Sequence, residues 1–167
     1  VTVPYKDFGD NRWRVLADYS DCYVRHAMEL VYECIAEDVP YNVVSDYLDA
    51  DTNKHSDNVV CIGTRKTSAL IAQFISSDEV PSHGFLVKVG VSPFNENRQV
   101  VWLVGDDPVA TIYASSHFVH QYLPQARQRK DHIPYFRKLF VDPLPKYIFS
   151  PSLQFKCNTL TTRPKRP

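Results

Sequence analysis

The chain has no apolar run approaching the roughly 18 residues that a membrane-crossing helix needs, so no transmembrane segment is expected. It has no surplus of either charge: 19 Lys and Arg stand against 19 Asp and Glu. That balance argues against a dedicated nucleic-acid binder, which carries a basic excess. With only five Gly there is no Gly-rich phosphate loop, and neither a Gly-x-Ser-x-Gly elbow nor a His-Glu-x-x-His helix occurs. No two of the four Cys lie two to four residues apart, so a zinc site is not expected, and no motif calls for a cofactor. There is no Asn-x-Ser/Thr sequon, which excludes N-glycosylation.

What is present is aromatic, proline-containing and divided in charge. Residues 1–60 hold 5 Lys and Arg against 12 Asp and Glu, and the remainder holds 14 against 7, so the two parts present opposite fields. A chain of 167 residues can bury about two thirds of its unfolded surface as one domain. We expect that domain over residues 1–160, with a basic, Pro-rich flexible tail at 161–167. Four Cys, 12 Pro and a single Met, on a chain opening with Val1, suit a mature secreted protein that uses disulfides.

The segment from His83 to Ser116 carries the strongest pattern. Phe85, Val87, Val89 and Val91 alternate with Lys88 and Gly90, as on a strand with one buried face. Val100 to Val104 is apolar on both faces and includes Trp102, which marks a central strand. Gly105-Asp106-Asp107-Pro108 reads as a turn into a third run, Ala110 to Ser115, completing an antiparallel meander. Before it, Tyr23, Ala27, Leu30, Val31, Cys34 and Ile35 predict an amphipathic helix over Asp21 to Ala36, with Ser20 as its N-cap. Val43, Val44, Tyr47 and Leu48 suggest a second, shorter helix after Pro40. Val59-Val60-Cys61 is a short strand, and Thr64 caps a third helix over residues 65–75. Further on, Leu139-Phe140-Val141 re-enters the core, and Tyr147-Ile148-Phe149 and Leu153-Gln154-Phe155 are two short strands. The expected class is α+β: two or three helices packed on one face of an antiparallel sheet of four to six strands around a central meander.

Cys22 and Cys34 on one helix would lie about 18 Å apart along its axis, too far for a disulfide. A link from Cys61 to Cys157 would tether the chain after Pro143, closing a loop of about 97 residues nominally worth about 4–5 kcal/mol.

Two clusters offer chemistry. His83, His117, His120 and His132 gather with Glu96, Arg98 and Tyr113 around the ends of the meander, a set suited to acid–base attack on a phosphodiester. Arg127, Arg129, Lys130 and Arg137 interleave with Tyr135 and Phe136, a pattern that binds phosphates and stacks bases. The alternative for both is a set of surface loop residues with no shared purpose.

The order Cys61, helix, His83 strand, Arg98-Gln-Val-Val-Trp102, Ala110 to Ser115, Cys157 resembles the small secreted fungal guanyl-specific ribonucleases. It is closer to the ribonuclease-like effectors that powdery mildews and related plant pathogens secrete. The likeness covers Val59 to Cys157. It implies His83 and Arg98 in two catalytic roles, but Lys88 stands where a Glu is required and Ser115 where a His is required. His117 could replace that His only if the strand ran longer. With its acid and base missing, such a scaffold would not turn over RNA. The resemblance therefore implies a secreted, monomeric, non-enzymatic effector of the kind taken up into host cells, which binds a host plant protein or RNA. Its RNA- or partner-binding residues would be Arg127, Arg129, Lys130, Tyr135 and Arg137, with His83, Arg98 and His117 as vestiges. The other expectations are an active nuclease or hydrolase and an intracellular or viral interaction domain.

Overall fold

Strand β1 (Trp13–Ala17) leads into helix α1 (Cys22–Asp38), after which come β2 (Val43–Tyr47) and β3 (Asn58–Thr64). Helix α2 (Ala69–Phe74), β4 (Phe85–Val91), β5 (Gln99–Gly105), α3 (Pro108–His117), α4 (Leu123–Arg127) and β6 (Tyr147–Phe149) complete the order. A π-helical turn, Phe118–Tyr122, joins α3 to α4. The computed structural model describes residues 12–18, 20–39, 43–48, 56–127, 139, 141 and 146–149.

The class is α+β, and the sheet has six strands in the order β2-β1-β3-β5-β4-β6. It is mixed where an antiparallel sheet was expected. β2, β1, β3 and β5 run parallel, while β4 and β6 are antiparallel to their neighbours. Parallel strands need connections that cross the sheet. Helix α1 supplies one between β1 and β2, and the stretch containing α2 and β4 supplies another between β3 and β5. All seven residues of β3 are buried, as expected for a parallel strand covered on both faces.

The expected meander is a hairpin followed by a helix. β4 and β5 pair as predicted, with Lys88 opposite Trp102, but the third run is α3. Asp107 caps that helix, its carboxylate accepting the Ala110 amide at 2.8 Å, and Pro108 occupies the first turn, where its missing N–H costs nothing. Ala110, Thr111, Ala114, Ser115 and Phe118 then fall on one buried stripe at helical spacing.

Helices cover both faces of the sheet, not one. Val24, Ala27, Val31 and Ile35 of α1, Ala110 and Ala114 of α3 and Phe118 of the π turn share a core with Val15, Ile62, Val101 and Leu103. On the opposite face Ile71 of α2 packs with Leu16, Cys61, Leu86 and Trp102. The N-cap of α1 is Asp21 rather than Ser20, because the Asp21 side chain accepts the amides of Tyr23 and Val24. Likewise Ser68, not Thr64, caps α2. The predicted second helix is instead β2, paired in register with all five residues of β1.

Leu139 and Val141 are buried as expected, and β6 forms where predicted. The Leu153–Phe155 strand, the tail at 161–167 and Cys157 lie outside the described residues. Cys61 is buried in the middle of β3. Cys22 and Cys34 sit on the single helix α1, as the spacing argument requires. Among the described residues no helix is long and apolar enough to cross a membrane.

Candidate functional site

Of the residues expected to act together, the structure assembles some and separates others. His83 lies at the start of β4 with φ of 59°, in the left-handed region, and its amide donates to Asp106 Oδ2 at 2.9 Å. Arg98 is at the opposite end of the same hairpin, about 20 Å away along β5. It is buried, and its guanidinium donates to the carbonyls of Ser56 (2.9 Å) and Asn97 (3.1 Å). Arg98 is therefore a strut joining the β4–β5 turn to the entrance of β3. Glu96 is exposed in that same distant turn. Lys88, where the ribonuclease likeness calls for Glu, reaches Glu79 at 3.2 Å. Lys146 joins them at 3.4 Å; burial works to raise the Glu79 carboxyl, but the Ser76 amide donating to it at 3.0 Å and these two cations hold it below its ordinary value.

His117, His120 and Tyr113 do come together. They line a groove of about 410 Å³ with Ser116 and Gln121 of the same helical run and Phe85 and Phe149 of the sheet. Its floor is aromatic. The β4–β6 register places Phe149 opposite Phe85 and Tyr147 opposite Val87. Phe85 and Phe149 stack with ring centroids 5.3 Å apart. The His117 imidazole lies on the Tyr147 ring at 3.8 Å, nearly parallel to it, and meets Tyr122 edge-on at 5.9 Å.

Two backbone features aim these side chains. Gly84 passes so close to β6 that a Cβ there would overlap the Phe149 carbonyl oxygen, so glycine is required for the strands to meet. The π turn widens the helix by one residue and shifts its phase. Phe118, Val119 and Tyr122 stay buried, while His120 and Gln121 turn outward to the groove.

Burial lowers the pKa of His117 below its ordinary 6.5, which favours the neutral imidazole stacked on Tyr147. Burial, together with the nearby Tyr147 phenol, raises the Tyr122 hydroxyl. Among the described lining residues there is no carboxylate, Lys or Arg. The groove thus offers flat apolar surface with a rim of hydroxyl, amide and imidazole groups. That arrangement can hold a ligand by stacking and neutral hydrogen bonds.

Arg127 closes α4, while Arg129, Lys130, Tyr135, Arg137 and His132 lie outside the described residues. Among the described residues no group of three or more His, Cys, Asp or Glu could hold a metal ion. Sequence reasoning missed Phe85 and Phe149 as site residues. The signal was the aromatic residue at one end of each strand, Phe85 opening β4 and Phe149 closing β6, but which face each would present depended on the pairing of β4 with β6.

The molecule is thus an α+β domain with an aromatic groove between its last long helical run and a sheet edge. No family model matches the chain, and no curated protein matches it. Solved structures similar to it include a GH138 enzyme targeting pectin rhamnogalacturonan II, at 12% identity and a TM-score of 0.39 over 71% of this chain. The chain spans 14% of that enzyme's length. A likeness of that size carries no argument about activity.

Proposed function

We propose that this domain is a non-enzymatic protein-recognition module whose groove receives an apolar or aromatic side chain of a protein partner. One observation carries the reading: Tyr113, 61% exposed, lines a groove floored by Phe85 and Phe149, and Tyr147, 36% exposed, stacks on the lining His117. Large aromatics left in water around a concavity are typical of interface anchors. A protein partner fits better than RNA because no Lys or Arg lines the groove among the described residues, and RNA affinity rests on neutralising phosphates. This reading does not draw on the ribonuclease resemblance: the third run of its pattern is a helix here, and His83 and Arg98 stand at opposite ends of the hairpin. A fungal source and a host partner rest on that resemblance, and secretion on the resemblance and the composition.

The test begins with a photo-crosslinking residue at position 113, compared with one at Glu33 on the outer face of α1. The partner captured at 113 is then purified and its affinity measured. Tyr113→Ala with Tyr147→Ala should weaken it by about 100-fold or more, at about 2 kcal/mol for each anchor. Tyr113 faces solvent, so Tyr113→Ala alone should leave the melting temperature unchanged, whereas Tyr147→Ala also removes the ring stacked on His117 and should lower it. Equal affinity for the double variant, or capture only from Glu33, would overturn the reading. Affinity should also follow His117. Because its pKa in the folded chain is depressed, the neutral ring is fully favoured above pH 6.5, and binding is lost as the pH falls through the lowered value.

The same reading predicts no RNA turnover above background. His83 cannot reach a partner at Arg98, and losing a positioned acid and base removes about 10²–10⁴ in rate for each. Cleavage of single-stranded RNA by the wild type, abolished in His83→Ala/His117→Ala, would instead establish a nuclease.

A further inference from the structure

A second concavity lies elsewhere, and the topology explains why it exists. From β1 the chain passes through α1 to β2 on one side of β1, whereas β3 lies on the other side. The α1 crossover covers one face of the sheet, and the chain leaving β3 enters α2 on the opposite face. The two connections diverge in opposite directions and leave a crevice beyond the carboxyl ends of β1 and β3. In open sheets with parallel strands, such reversal points are where ligands bind.

The crevice holds a cavity of about 240 Å³, equal to the share of about eight waters in the liquid. Asp18 and Ser20 line it from the β1 end, and Thr67 and Ser68 from the β3 end. Ile62 and Leu48 are among its apolar walls. The Asp18 carboxylate accepts both the amide of Ser20 (3.0 Å) and its hydroxyl (2.5 Å) through Oδ1. That leaves Oδ2 to accept from a ligand. Thr67 is paired with Thr64 through their hydroxyls at 2.8 Å, which fixes its position at the rim.

The chemistry of the walls narrows the ligand. An anion is disfavoured, because Asp18 and Asp21 line the cavity, no cation is among the described lining residues, and the helix starts at Asp21 and Ser68 already have side-chain caps. A quaternary ammonium is disfavoured because no aromatic ring lines the cavity among the described residues. Hydroxyls and a carboxylate opposite aliphatic walls suit a compound with hydroxyls on its edge and C–H bonds on its faces. We infer that this crevice is a binding site for a neutral polyhydroxylated small molecule of about monosaccharide size, separate from the aromatic groove.

The test uses the full ¹⁵N-labelled chain, titrated separately with D-glucose, D-galactose, inorganic phosphate and spermidine. At least one sugar should shift the amides of Gly63, Thr67 and Ser68 saturably, with Kd of about 1 mM, a common range for one small ligand in an open site. Asp18→Ala should weaken that binding by about tenfold or more, because a charge-assisted hydrogen bond is lost. Thr67→Val, which keeps the side-chain shape, should weaken it severalfold and serves as the second variant if the first fails to fold. Stronger shifts with phosphate or spermidine, no saturable shift with either sugar, or sugar affinity unchanged in both variants would overturn the assignment.

Discussion

Replacing Trp102 with Ala is expected to lower the unfolding free energy by about 3–5 kcal/mol, the range for removing a buried large aromatic. Trp102 is 4% exposed at the middle of β5, with Cys61 of β3 on one side and Lys88 of β4 on the other. Its ring faces the α2 side, where Phe74 lies 5.7 Å away, and Phe74 in turn meets Phe94 edge-on at 5.7 Å. This is the more thinly covered face, because α2 has only six residues and no second long helix lies over it among the described elements. A short helix cannot slide far to fill the space of an indole, so little of the cavity should relax away. Such a loss is a large part of the 5–15 kcal/mol that ordinarily holds a domain together. It should lower the melting temperature by roughly 6–20 °C. Trp13, fully buried on the other face, remains as the fluorescent reporter for a denaturant titration. A loss below about 1 kcal/mol would show the indole to be solvent-facing, since surface substitutions rarely exceed half that.

How far the fold was legible depended on whether the local pattern and the tertiary partners agreed. Helix α1 was readable because its apolar spacing runs for four turns, and β4 and β5 because alternation and continuous burial differ plainly. β2 was not. Val43, Val44, Tyr47 and Leu48 satisfy a helical spacing as well as a strand, and five residues are too few to separate the two. Parallel pairing with β1 decides it, and β1 is 30 positions away in the chain. The α3 error had a local remedy. Asp107-Pro108 was read as a turn, but an N-cap followed by proline is equally a helix start, and small residues then recur at the spacing of a buried stripe.

The candidate site was legible as a list of residues and not as a geometry. His117, His120 and Tyr113 were picked out together, and the groove holds all three. Their grouping with His83 and Arg98 came from placing Ala110 to Ser115 on a strand. With that run on a helix lying across the sheet, His117 is carried back over β6, onto Tyr147. The switch-point crevice could not be read in advance at all, because it depends on which strands run parallel and in what order.

Asp57→Ala is the second change expected to cost about 3 kcal/mol or more, by removing one partner of a buried ion pair. The Asp57 side chain is 0% exposed, and Arg14 donates to it through Nε at 2.9 Å. Arg12 approaches its other oxygen at 3.8 Å, and the Ser56 hydroxyl donates to that oxygen at 3.2 Å. The carboxylate therefore sits where three chain segments meet. The Ser56 carbonyl receives Arg98 at 2.9 Å, and the neighbouring Asn58 accepts the Gln99 amide at 2.9 Å and donates to the Arg12 carbonyl at 3.2 Å. β1, β3 and β5 are tied at their entrances by this one polar cluster. Alanine would leave the Arg14 guanidinium, 11% exposed, with Asp46 at 3.6 Å as its remaining carboxylate among the described residues. That remaining partner places the expected cost nearer 3 than 5 kcal/mol. Asp57→Asn keeps the shape and an acceptor for Arg14 Nε, and should cost less than alanine because only the charge is lost. A double-mutant cycle with Arg14→Ala should return a coupling of about 1–3 kcal/mol for residues in one network. Additive losses would show that Asp57 acts through packing alone, and a cost for Asp57→Ala under about 1 kcal/mol would show that water reaches the pair.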